Sequence, residues 1–256
     1  MADAWDPAKY ERFRDERARP FRDLAALVEP RPGMLVADLG CGTGELTAQL
    51  HQKLDARETL GIDASAAMLA RAPQGPGLRF QQQDIARFAP AERFDLIFSN
   101  AALHWVPDHA GLLRRLTAAL APGGQIAVQM PFTDDQTAHQ TAFELARSPE
   151  FRPLLGGFAR RAPLPEPTRY ATWLHSLGYV RQHVRVAVYT HLLGSREEVI
   201  EWVRGALLTA YQERLSPADW ERFLARYRQL LLPQLADERP YFLVYPRILF
   251  WGALAK

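Results

Sequence analysis

Asp38-Leu39-Gly40-Cys41-Gly42-Thr43-Gly44 joins an acid to three glycines at alternate positions. An apolar run from Met34 to Leu39 leads into it, and a segment with Leu46, Leu50 and Leu54 on one helical face follows. The pattern reads as strand, tight turn and helix. Glycines let the backbone turn sharply and let a ligand approach without a Cβ in the way. The open N–H groups of a helix start favour electron-rich ligand atoms. An ordinary glycine-rich turn of an α/β protein has the same pattern. A second acid narrows the choice. Thr59-Leu60-Gly61-Ile62 ends in Asp63, roughly 20 residues past the glycines, where a carboxylate can bind the two hydroxyls of a ribose. That role suits NAD and other adenosine cofactors alike. The spacing, however, is G-x-G-x-G preceded by an acid, not G-x-G-x-x-G.

Several elements must bring these residues to one edge. Residues 34 to 130 alternate strand and helix: 34–39, helix 44–54, 58–62, helix 65–72, 78–82, a short helix near 86–88, 94–98, helix 108–120 and 124–130. Ser65 is placed to cap its helix, and Pro73 with Gly75-Pro76-Gly77 ends it. Strands separated by helices predict right-handed crossovers and a doubly wound sheet. The ligand crevice then lies beyond the carboxyl ends of the strands, where Asp38, Asp63, Asp84 and Asn100 converge.

The motifs, taken in order, resemble those of class I S-adenosylmethionine-dependent methyltransferases. Val36 to Gly44 and Gly61-Ile62-Asp63 match the first two. Phe80-Gln81-Gln82-Gln83-Asp84-Ile85 resembles the segment whose acid faces the adenine amine. Phe94 to Asn100 resembles the fourth strand, and Leu120-Ala121-Pro122-Gly123-Gly124 the turn before the fifth. A narrower resemblance, to the methyltransferases that esterify trans-aconitate, spans nearly the whole chain. It runs through Trp5-Asp6-Pro7, Tyr10, Glu16 to Pro20, Asn100 to Trp105, Pro107-Asp108-His109 and Ala127 to Pro131, then Glu201-Trp202-Val203, Phe223 to Tyr227 and Tyr245-Pro246-Arg247.

The resemblance implies an α/β fold: a doubly wound, seven-stranded Rossmann-like sheet with helical cap insertions and S-adenosylmethionine as cofactor. It implies an antiparallel last strand between strands five and six. The implied cofactor-binding residues are Asp38, Gly40, Gly42, Asp63, Met68, Asp84, Ile85 and Asn100. The implied substrate-binding residues are Tyr10, Arg17, Arg19, His104, Trp105 and Gln129. No catalytic residue and no metal ligand is assigned. Valine at Gly40 or Gly42 is expected to block the cofactor with little unfolding.

Organisation follows as one domain over 1–256, its core about 30–131, 181–194 and 240–256, its cap about 132–180 and 195–239. Within the cap, helices are expected at 135–147, 168–177, from Ser195 to 204, and onward to about 234 with a start at Ser216-Pro217-Ala218-Asp219. Val184 to Leu192 and Tyr241 to Leu254 read as the last two strands. Trp173, Trp202, Tyr211, Trp220, Phe223 and Tyr227 are expected in the cap core. Residues 5 to 28 read as helical and are the most basic stretch, carrying Arg12, Arg14, Arg17, Arg19 and Arg22. The stretch is either a solvated face or, as in related enzymes, a lid over the cofactor.

The chain has 256 residues with 48% hydrophobic and 23% charged content, ordinary for a globular protein. A net charge of +2 with no basic tail gives no footprint of nucleic-acid binding. Cys41 is the single cysteine, which excludes an internal disulfide and a cysteine-based zinc site. The N-terminus lacks the positive-then-apolar pattern of a secretory signal, and no apolar run approaches the ~20 residues of a membrane span. A cytoplasmic enzyme is expected, with no nucleic-acid or membrane partner and with its oligomeric state unassigned.

Asn100 is followed by Ala-Ala, not by the Pro-Pro-Tyr or Pro-Pro-Phe of many methyltransferases acting on amines of nucleic acids and proteins. The expected acceptor is therefore a small molecule, and the resemblance implies a di- or tricarboxylic acid, trans-aconitate first. Its carboxylates call for arginine forks, with Arg17, Arg19, Arg169 and Arg247 as candidates. One departure stands out: by spacing, Thr209-Ala210 falls where a trans-aconitate methyltransferase that the chain resembles has an Arg-Pro pair shortly after its Trp-Val pair. His104 would be a base toward a phenol or amine, a binding group toward a carboxylate, or a packed histidine. Two rival readings are an NAD-dependent oxidoreductase and a non-catalytic cofactor-binding module.

Overall fold

Five short parallel strands build the part of the sheet that carries the motifs. The computed structural model of the chain describes residues 14–160 and 163–256. In order, β1 is Leu35–Leu39, β2 Glu58–Asp63, β3 Leu78–Gln82, β4 Phe94–Asn100 and β5 Leu120–Pro131. The last two strands are β6, Tyr179–Leu193, and β7, Tyr241–Leu254. The sheet order is β3-β2-β1-β4-β5-β7-β6, with β5 and β7 antiparallel. This is the topology the resemblance implied. Every residue of β1 is buried, as a central parallel strand covered on both faces requires.

Helices flank these strands: α1 Arg14–Ala25, α2 Glu45–Leu54, α3 Ala66–Leu69, α4 His109–Ala118, α5 Thr137–Arg147 and α6 Pro167–Ser176. Further on come α7 Glu198–Val203, α8 Thr209–Gln212 and α9 Pro217–Leu231. Ser65 caps α3 as expected, accepting from Met68 N–H at 3.1 Å. Ser216 likewise caps α9, with Pro217 at the first helical position. Ser195 does not cap α7. That helix opens at Glu198 and passes into a π-helical stretch, Arg204–Leu208, which no apolar period announces.

The strand β5 corrects a second expectation. Leu120 pairs with Phe94, and the register resumes only at Gln125 opposite Leu96. Ala121-Pro122-Gly123-Gly124 is therefore a bulge inside the strand rather than a turn before it.

The chain divides into two compact units. The sheet unit comprises 14–131, 165–187 and 247–256. The described part of the cap unit comprises 132–160, 163–164 and 188–246. The cap thus ends before α6, which packs with the sheet: Tyr170 of α6 stacks on Phe250 of β7 at 5.0 Å. Trp173, expected in the cap core, goes with it. Both β6 and β7 run from one unit into the other.

In the sheet unit α1 covers one face of β4 and β5. Phe21 meets Phe98 edge-on at 5.4 Å, and Gln125 exchanges hydrogen bonds with the backbone of Glu29 at 2.8 and 2.9 Å. The cap unit has its own apolar core. Trp202, Tyr211, Trp220, Phe223 and Tyr227 are all buried there. No described helix is long and apolar enough to cross a membrane.

Candidate active site

The glycine turn is closed by backbone bonds to the next strand. Gly40 and Cys41 N–H both donate to Ile62 C=O, at 2.8 and 3.0 Å. Gly40, Gly42 and Gly44 hold φ of 77°, 58° and 71°, a region that side-chain-bearing residues rarely adopt. They differ in what surrounds them. A Cβ on Gly40 would stand 2.1 Å from the Ala102 Cβ, and one on Gly44 2.5 Å from the Phe80 ring. A Cβ on Gly42 would meet nothing nearer than Met68 Cε at 3.7 Å. This corrects one expectation: valine at Gly40 collides with the protein itself, so Gly42 alone of the two keeps an open approach for a ligand.

Asp63 is tied into the same turn. Its Oδ2 accepts from Gly42 N–H and its Oδ1 from Ser65 N–H, each at 2.9 Å. A carboxylate has about four acceptor positions, so each oxygen keeps capacity for a ligand hydroxyl. Asp38 is 4% exposed and accepts from Thr47 Oγ1 at 2.6 Å. Burial pushes its carboxyl up to about 7, aided by the Asp63 charge and opposed by the Thr47 bond. Thr47 was not anticipated. Its signal was a lone hydroxyl on the buried face of α2, beside Leu50 and Leu54.

Met68 and Ile85 flank the turn: Met68 is buried beneath Gly42, and Ile85 Cδ1 lies 3.5 Å from where a Gly40 Cβ would be. Asp84 is exposed and caps a short 3-10 turn by accepting from Ala86 N–H at 2.8 Å. Tyr10 lies outside the described residues, and Arg17 is described only as part of the first turn of α1. Arg19 is exposed. Arg169 is exposed too, its guanidinium 5.8 Å from the Trp173 ring centre.

The carboxyl edge of β4 and β5 holds a second group. Asn100 pairs in register with Gln129, and Pro131 with Arg247 of β7. Residues two apart on a strand share a face, as do direct cross-strand partners. Asn100, Gln129 and Arg247 therefore lie on one face, the face that carries Phe98 and Gln125 beneath α1. Gln129 is 0% exposed and Arg247 5%. Among the described residues, neither amide atom of Gln129 has a hydrogen-bond partner, nor does Asn100 Oδ1. Unsatisfied buried polar atoms are rare in folded proteins and cost about 1–3 kcal/mol each. Ala101, next in sequence, holds φ 57° with its N–H on Gln129 C=O at 2.8 Å. Strain of this kind clusters at functional sites. His104 and Trp105 follow on a 3-10 turn, ring centres 5.1 Å apart, with Trp105 39% exposed.

The chain is similar to known proteins in sequence and in fold. Residues 36–124 match a methyltransferase domain family. A trans-aconitate 2-methyltransferase from Deinococcus radiodurans is 45% identical over 254 residues, covering 96% of each chain. A second from Methylobacterium nodulans is 40% identical, covering 97% of each. Among solved structures, the YcgJ protein of Bacillus subtilis superposes with a TM-score of 0.62 at 17% identity, covering 93% of this chain and 99% of that one. A phosphoethanolamine N-methyltransferase from Haemonchus contortus, solved with S-adenosylhomocysteine, gives 0.55 at 17% identity, covering 93% and 53%.

Proposed function

Because the chain belongs to the trans-aconitate 2-methyltransferase family of S-adenosylmethionine-dependent enzymes, we propose that it methylates one carboxylate of a small di- or tricarboxylic acid, trans-aconitate first, giving the monomethyl ester. The observation that carries this reading is the row Asn100, Gln129 and Arg247. It combines a buried cation with the buried amide of Gln129, which has no partner among the described residues, and with Asn100 Oδ1, which has none either. A guanidinium and an amide N–H are donors suited to a carboxylate.

The residues present fit the cofactor. Gly42 leaves open the space a Cβ would occupy, and Asp63 retains acceptor capacity beside it. In this reading Asp63 takes the ribose hydroxyls, Asp84 the adenine amine, and Met68 and Ile85 the apolar surface between. Bound there, S-adenosylmethionine supplies a methyl group already activated by the positive charge on sulfur. Asp38, poised near neutrality by burial, ionises more readily once a cation settles beside it.

What remains for the protein is alignment and exclusion of water. A free carboxylate has a pKa of about 4 and is ionised at neutral pH, so no general base is required. Gln129 and Arg247 hold the acceptor, and a neutral amide does so without withdrawing as much charge as a cation. His104 and Trp105 shape the pocket wall. The missing Pro-Pro pair after Asn100 and the net charge of +2 support a small acceptor rather than a nucleic acid. The single cysteine is in keeping with a reducing, cytoplasmic setting.

The test is a screen of di- and tricarboxylic acids, phenols and amines with methyl-labelled donor. Ester formation from a carboxylic acid supports the assignment. Turnover on a phenol or amine, with none on any carboxylate, removes the acceptor class and leaves only methyl transfer.

A further inference from the structure

The chain leaves β4 through Asn100-Ala101-Ala102 by a path that the residue types do not announce. The strand ends at Asn100, yet its pairing with β5 runs one bond further: Ala101 N–H donates to Gln129 C=O at 2.8 Å. Ala101 reaches that bond in the left-handed region, at φ 57°. Among the described residues Asp55 is the other non-glycine residue with positive φ, and it caps the C-terminus of α2, where that conformation is common. Ala101 ends no helix. Alanine also lacks the short polar side chain that eases this conformation for Asn and Asp. Such a residue persists only where its surroundings over-determine it.

The surroundings do so from both sides. Before it, buried Ser99 donates from Oγ to Leu39 C=O at 2.7 Å, which fastens the end of β4 to the end of β1. After it, the buried Ala102 methyl covers Gly40, leaving no room for a side chain there. Trp105 N–H then donates to Ala102 C=O at 3.1 Å, closing the turn that carries His104 and Trp105. Ala101 thus stands between Asn100 and the residue resting on the glycine turn, while its own N–H holds the backbone of Gln129. The geometry limits what position 101 accepts. Proline is locked at φ of about −65° and has no N–H, so a Pro-Pro pair after Asn100 could not follow this path. A β-branched residue keeps the N–H but is an outlier at positive φ, whereas glycine adopts it freely and asparagine tolerates it.

We propose that Ala101 is a positioning residue for the acceptor: its left-handed conformation and its N–H hold Gln129 C=O, and so fix where the buried Gln129 amide stands relative to the glycine turn. The role rests on the function proposed above, in which Gln129 holds the acceptor. It turns the Ala-Ala pair after Asn100 from a missing Pro-Pro motif into a conformational requirement of this site.

The experiment compares Ala101→Gly, Ala101→Asn and Ala101→Val in the full chain. Calorimetry measures trans-aconitate binding to protein saturated with S-adenosylhomocysteine, and S-adenosylhomocysteine binding by itself; steady-state kinetics give the acceptor's Michaelis constant. The glycine and asparagine variants keep the conformation and should match the parent. Valine, similar in size to asparagine, should weaken trans-aconitate by about tenfold or more, as expected for one misplaced hydrogen bond to a charged group, with S-adenosylhomocysteine affinity unchanged. In a Gln129→Leu background it should add no further loss, because it acts through Gln129. Ala101→Leu replaces the valine variant if that one lacks a cooperative melt. Parent affinity in Ala101→Val, an equal loss in Ala101→Asn, an equal loss of S-adenosylhomocysteine affinity, or a further loss in the double variant overturns the role. The two readings fail separately. If trans-aconitate is esterified and Ala101→Val keeps the parent's constants, the reaction stands and the role falls. If the acceptor proves to be a phenol or amine whose Michaelis constant rises in Ala101→Val but not in Ala101→Asn, the role stands and the acceptor class falls.

Discussion

The sheet unit and the cap unit carry their polar chemistry in opposite ways. In the sheet unit the groups sit at strand ends, held largely by backbone: the glycine turn is closed on Ile62 C=O, and Asp63 fastens Gly42 N–H. In the cap unit the polar groups are side chains enclosed among aromatic rings, from Phe158 against Tyr211 at 5.7 Å to Tyr211 stacked on Phe223 at 5.2 Å. A backbone-built site constrains which residues may stand at fixed spacings. A side-chain-built cluster constrains only what meets in space.

That contrast can be broken first at the cap core. Phe223 is 0% exposed and touches Phe151, Tyr211 and Trp220. Phe223→Ala should cost about 3–5 kcal/mol. Denaturant titration checks it, and a loss below about 1 kcal/mol would mean that this aromatic cluster is not the cap's core. In the sheet unit, Gly42→Val should abolish S-adenosylhomocysteine binding by calorimetry while leaving a cooperative unfolding transition. Gly40→Val should instead lose the transition itself, because its side chain meets Ala102. Equal behaviour of the two variants would contradict their different surroundings.

These differences explain what could be read in advance. Asp38, the glycines and Asp63 were legible because the turn fixes their spacing, and the β1-to-β5 alternation followed from their apolar runs. Ser65 and Ser216 were legible as caps because each precedes a helix start by one residue. Ser195 misled because its helix opens three residues later, at Glu198. The extent of the cap misled because α6 carries proline-rich flanks like those of the segment before it, yet packs through Tyr170 on β7. The row at Gln129 was only half legible: the residue was named, but its lack of partners is a property of the fold.

Two smaller effects sharpen the account of the sheet unit. Asp63→Ala should weaken S-adenosylhomocysteine binding by roughly 1.5–3 kcal/mol for each charge-assisted bond lost. Unchanged affinity would remove Asp63 from the site. Asp38 gives a pH signature. Its folded pKa, near 7, lies above its ordinary value of 3.8, so it favours the folded state only while protonated. That contribution is lost as pH rises from about 4 through about 7. Asp38→Asn should therefore raise the thermal midpoint of the cofactor-free protein, relative to wild type, more at pH 7 than at pH 5. A ligand that favours ionised Asp38 should bind more weakly as pH falls below about 7, by at most about tenfold per unit. A gain in Asp38→Asn that is no larger at pH 7 than at pH 5 would refute the assignment.

The central claim is that the partnerless amide of Gln129 waits for the acceptor, and Gln129→Leu tests it most directly. Leucine keeps an apolar side chain of similar size and removes both unsatisfied atoms, so the variant should be at least as stable as the parent. The measurement is the pair of steady-state constants for trans-aconitate, with S-adenosylhomocysteine affinity alongside. The account predicts a Michaelis constant raised by about tenfold or more with cofactor affinity unchanged. A Gln129→Leu enzyme that is more stable and turns over trans-aconitate with the parent's constants would contradict it.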